Sequence, residues 1–110
     1  MKIAESAFGI ELKELEKFNK LDLDERSIVF YSEDISSFVH FEQIIHELTE
    51  KMGYQICYVT SAKDDPILAG QNKKIKVFYI GLGAIRTKFF MELKAKVFVM
   101  TMPSLETYFI

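Results

Sequence analysis

The stretch Ser27-Ile28-Val29-Phe30-Tyr31-Ser32-Glu33 decides the fold. Its apolar residues run on without a polar break until Ser32, and a run that does not alternate suits a strand buried on both faces, as in a parallel sheet covered by helices. The polar residues Ser32 and Glu33 stand at its C-terminal end. That end is where an open α/β sheet receives ligands.

Downstream the same pattern recurs. A second strand, Gln55-Ile56-Cys57-Tyr58-Val59-Thr60, also finishes in small polar residues, Thr60 and Ser61. A third spans residues 75–80, and Lys96-Val97-Phe98-Val99-Met100-Thr101 makes a fourth, ended by Pro103. Between the first two lies a helix over residues 38–52, with Phe41, Ile44, Ile45, Leu48 and Met52 on one side and Glu42, Glu47, Glu50 and Lys51 on the other. Gly53 is its expected stop. Residues 62–74 carry Asp64-Asp65-Pro66, Gly70, Gln71 and Asn72, which predicts a loop with at most a short helical turn. Gly81-Leu82-Gly83 breaks the third strand and opens a helix over residues 84–94, with Ile85, Phe89, Phe90 and Leu93 turned inward.

Upstream, Ile3, Ala7, Phe8, Ile10, Leu12, Leu15 and Phe18 recur mostly at three- and four-residue spacing among charged residues, the period of an amphipathic helix. The expected fold is therefore α/β: a Rossmann-like three-layer half-domain whose four parallel strands take the order 3-2-1-4, preceded by an amphipathic N-terminal helix. Residues 1–26 form that helix and its connection, and residues 27–110 form the Rossmann-like unit, which reads as truncated after its fourth strand. Winding reverses between the first and fourth strands. Ligand is expected at that switch point, against residues 32–40 and 101–104.

Composition narrows the function. The chain has 110 residues, 49% of them hydrophobic and 14% aromatic, enough for one well-packed domain or half of a larger protein. With 14 basic and 16 acidic residues the net charge is −2 and no basic stripe is present, which argues against nucleic acid. The single cysteine, Cys57, excludes an internal disulfide and sits in an apolar run as a core thiol. The charged residues Lys2, Glu5 and Glu11 do not fit a signal peptide, and no apolar run nears the roughly 20 residues that span a bilayer. A cytoplasmic location is expected, with peripheral membrane contact left open.

The candidate site residues come from strand ends and helix starts. Ser32, Thr60, Ser61 and Thr101 are hydroxyls where parallel strands finish, and Ser104 follows the last of them. Glu33, beside Asp34, can bind hydroxyls or act as a base, or can be a solvated loop residue. Gly81 and Gly83 fit a tight strand-to-helix turn and, with a third glycine lacking, less well a phosphate cradle. Arg86, one turn on, can clamp an anion or lie in solvent. His40, at a helix start, suits either a general base or a structural role, and His46 falls on another face, against a shared metal site. No cofactor and no metal are expected.

Taken in order, Ile28-Val29-Phe30-Tyr31-Ser32-Glu33, His40-Phe41-Glu42, Tyr58-Val59-Thr60-Ser61 with Asp64-Asp65-Pro66, and Val97 through Leu105 resemble the N-terminal part of proteins similar to CDP-glycerol glycerophosphotransferases. The likeness covers residues 27–110. It implies a GT-B-like transferase in which this chain is the acceptor-side half, and a missing C-terminal half holds the CDP-linked donor and the catalytic histidines. It also implies a role in teichoic acid-type polymer synthesis, with a phosphoglycerol-type group passing to a hydroxyl. CDP-glycerol or a polyol-phosphate acceptor would be the small-molecule partner, and the missing half or a homo-oligomer the macromolecular one. Alone, the chain would be inactive. A stand-alone nucleotide- or sugar-phosphate-binding module and a structural or regulatory interaction domain are the alternatives.

Overall fold

The computed structural model describes residues 7–70 and 72–100. Four parallel strands, β1 (Ile28–Ser32), β2 (Ile56–Thr60), β3 (Ile75–Tyr79) and β4 (Val97–Met100), form one sheet in the order β3-β2-β1-β4. The expected order is the observed one. β1 and β2 have helices on both faces and strands on both sides, so β2 is buried throughout and β1 at all but its first residue.

Helix α1 (Ala7–Lys20) and helix α3 (Ala84–Glu92) cover one face, and helix α2 (Ser37–His46) covers the other. The two-residue period of β1 sorts the core accordingly. Val29 and Tyr31 join Leu15, Phe18, Val59, Phe78, Ile85 and Phe89 on the α1 and α3 side. Phe30 joins Phe41, Ile45, Ile56 and Tyr58 under α2. Phe18 of α1 lies edge-to-face on Phe78 and on Phe89, each at 5.5 Å. The N-terminal helix is therefore part of the core of the α/β unit.

Two helical details depart from the sequence reading. Residues Glu47–Lys51 form a π-helical turn, which shifts the phase of the last turn. Ile44 and Met52, expected to face inward, are exposed, and Thr49 is buried, its hydroxyl donating to the Ile45 carbonyl at 2.8 Å. Gly53 does end the helix, at φ 75°, with Tyr54 N–H bonded back to the Leu48 carbonyl. Helix α3 is shorter than residues 84–94, and Phe90 is turned partly outward.

The sheet edges differ. On the outer side of β3 the Tyr79 N–H meets Glu14 Oε1 of α1 at 3.4 Å. Among the described residues β4 pairs with β1 alone, and Val97 is 50% exposed on it. Among the described residues, no helix is long and apolar enough to cross a membrane.

Candidate functional site

The carboxyl ends of β1 and β2 carry the strand-end hydroxyls, and each is buried. Ser32 and Thr60 are 0% exposed and Ser61 4%. The crevice of exposed hydroxyls expected from the sequence is here a closed set with internal partners. The Ser32 hydroxyl donates to the Asp34 carbonyl at 2.7 Å. Ser61 shares a 2.6 Å hydrogen bond with the Tyr31 phenol, and its N–H donates to the Ser32 carbonyl. Thr60 donates to Asp65 Oδ2 at 2.9 Å and accepts from the Ala62 N–H.

These bonds have a structural cause. A parallel strand must turn sharply into its crossover, and hydroxyls at the turn satisfy backbone groups that the sheet leaves free. Asp65, buried at 3%, also accepts from the Ile67 N–H and so opens the 3₁₀ turn Pro66–Ala69. Its position before a proline and a short helical turn was the signal for that role. The Tyr58 phenol is fully buried without a hydrogen-bond partner of acceptable geometry among the described residues. Burial pushes it up to about 12, offset in part by the nearby Ser32 hydroxyl.

What remains open lies on the other side of β1. A cleft of about 400 Å³ is lined by Tyr31, Phe90, Met91 and Met100, with Thr87, Glu33 and Arg86 completing its wall. Arg86 of α3 reaches Glu33 across it at 3.5 Å, and both side chains stay partly in water. The structure thus joins two expected site residues, Glu33 and Arg86, at the point where winding reverses. Asp34, beside them, caps the β1-to-α2 turn by accepting from the Ser36 hydroxyl and N–H, and these bonds hold its carboxyl below the usual range.

The other candidates lie apart from this cleft. His40 and His46 are both exposed on α2, and neither lines the cleft. Among the described residues, no cluster of His, Cys, Asp and Glu could hold a metal ion. Cys57 is a fully buried thiol that burial pushes up to about 12. Gly81 sits at φ 69°, in the left-handed region, and the Glu11 carboxylate of α1 lies against it on the side a β-carbon would take. Gly83 precedes α3 with no side-chain cap. Thr101 and Ser104 lie outside the described residues.

Helical periodicity places Glu11 on α1 but carries no signal for its contact with the β3-to-α3 turn. Likewise Tyr31, Met91 and Met100 read as core or surface residues until the strand order brings them together. Fold and cleft define a Rossmann-like α/β unit with an open, mostly apolar cleft at its switch point. Comparison with family models, curated proteins and solved structures finds no match to the chain.

Proposed function

We propose that this chain is a binding unit, the acceptor-side half of a two-part transferase similar to the CDP-glycerol glycerophosphotransferases. The observation that supports this reading is the pairing of Glu33 with Arg86 on the wall of an otherwise apolar cleft at the switch point. A guanidinium suits a phosphate and a carboxylate suits polyol hydroxyls, so the two groups together fit a polyol phosphate. Tyr31, Phe90 and Met91 would supply the apolar wall of a mostly preformed pocket. In this reading a partner half binds the CDP-linked donor, and the present chain holds the hydroxyl that receives the phosphoglycerol-type group.

The test is titration of the purified chain with glycerol 3-phosphate, CDP-glycerol and CMP, followed by amide and side-chain NMR shifts. Glycerol 3-phosphate is expected to move Arg86, Thr87 and Phe90, to lose that effect in R86A, and to show no turnover with CDP-glycerol. Preferential binding of CMP would favour a stand-alone nucleotide module. The exposed Met91 and Val97 beside the β4 edge favour an interaction domain as the second reading. Concentration-dependent mass with no response to any of the three compounds would establish it.

A further inference from the structure

Glu11 is the one α1 carboxylate set against the β3-to-α3 turn with no hydrogen bond or ion pair among the described residues, and its contact has a consequence independent of the function proposed above. Downstream on α1, Leu15 and Phe18 are buried at 1% and 0% and fasten the helix to the core. Upstream, Phe8 and Ile10 are exposed at 56% and 45% and belong to neither core cluster among the described residues. The first half of α1 is held on the sheet by the partly buried Leu12, by Glu14 at the Tyr79 N–H, and by Glu11 on Gly81.

Among the described residues, the charged groups on the elements packed against α1 give Glu11 no ion pair. Lys76 on β3 faces Glu25 at 3.9 Å, Arg86 on α3 is engaged with Glu33 at 3.5 Å, and Lys88 with Glu92 at 2.5 Å. On α1 itself Lys17 is taken by Glu14 at 3.1 Å. The titratable neighbour on β3 is Tyr79, raised by burial and then by the charge of Glu11. A partly buried carboxylate set against backbone without a counter-charge favours the neutral acid over the anion there.

We propose that the first half of α1 is a pH-sensitive latch over the β3-to-α3 turn, closed when the Glu11 carboxyl is protonated and loosened when it ionises. Burial raises the Glu11 carboxyl above its ordinary value, in agreement with that direction. A group raised in the folded state contributes stability fully present below its unfolded pKa and lost as pH climbs through the folded one. Loosening releases the contact on Gly81, while Leu15 and Phe18 keep the rest of the helix docked.

Amide hydrogen exchange on the whole chain tests the latch, with protection of residues 11–14 measured relative to the amides around Phe18. The wild-type ratio is expected to be several-fold higher at about pH 4.5 than at about pH 7, the interval in which a raised glutamate ionises. E11Q is expected to hold the high ratio at both, because its neutral amide has the shape of the protonated acid. E16Q, at an exposed carboxylate of the same helix, is expected to keep the wild-type dependence. A wild-type ratio that does not change with pH, or a dependence that survives in E11Q, overturns the proposal. Loss of the dependence in E16Q as well as in E11Q overturns it too, since the effect would then belong to the helix and not to Glu11.

Discussion

Thr60 donates a hydrogen bond to Asp65 Oδ2 at 2.9 Å, inside the turn that carries the chain from β2 toward β3. Both residues are nine-tenths buried or more, so removing either partner leaves the other's polar atom away from water. D65A also frees the Ile67 N–H. We expect D65A to cost about 2–3 kcal/mol and T60V about 1–2 kcal/mol in urea denaturation, within the range for orphaned buried groups. The double variant should fall short of the sum by about 1 kcal/mol, the coupling of a direct contact. Additive losses would show that the two side chains do not meet in solution.

The same residues show where the sequence was legible. Strand existence and order follow from uninterrupted apolar runs separated by helical periods, because right-handed crossovers leave few ways to connect them. Thr60, Ser61 and Ser32 were legible as strand ends. Whether a hydroxyl there faces a ligand or its own turn depends on what the next few residues fold back to offer. Asp65 takes Thr60, the Asp34 carbonyl takes Ser32, and Tyr31 takes Ser61, none of which periodicity encodes. The cleft depends on β4 lying beside β1, so Met100 and Phe90 could be assigned to it only once the order was in hand.

Ser32 gives a second expectation. Its hydroxyl is buried under α2 and bonded to the Asp34 carbonyl, so S32V should lower the melting temperature, where an exposed hydroxyl would not matter. A net loss of about 1 kcal/mol corresponds to roughly 4–8 °C in a domain of this size. Thermal unfolding followed by circular dichroism checks it, and an unchanged midpoint would place Ser32 in solvent.

Asp34 predicts an acid-side effect of opposite sign to Glu11. The Ser36 hydroxyl and backbone bonds stabilise its ionised form and lower its pKa in the fold. A depressed group contributes stability present above its unfolded pKa and lost as pH falls through the folded value. D34N should therefore be less stable than wild type at neutral pH, with the difference shrinking as acid protonates Asp34 in the parent. Parallel stability curves for the two proteins down to low pH would show that the carboxylate charge is not what caps the turn.

Val97 and its strand predict self-association. β4 is an edge with no charged residue from Val97 to Met100, and uncharged edges pair with other strands. Sedimentation at rising concentration should show a dimer or larger species, and V97K should shift it toward monomer. A wild-type chain that stays monomeric at high concentration would rule out an available β4 edge.

Gly81 and Glu11 can be tested against each other at about pH 4.5, the acid side on which the Glu11 carboxyl rests against the turn. At φ 69° an alanine is strained by about 1–2 kcal/mol whatever surrounds it, because its β-carbon crowds the following carbonyl. In the native chain that β-carbon would also overlap the Glu11 carboxylate, which must then move away from the turn. G81A should therefore cost about 1–2 kcal/mol from backbone strain plus about 0.5 kcal/mol for displacing the flexible Glu11 side chain, the second part vanishing when Glu11 is already alanine. Denaturant unfolding of the four proteins of this cycle gives the coupling directly. A coupling near zero would mean that backbone strain alone accounts for G81A and that the first half of α1 does not rest on the turn in solution.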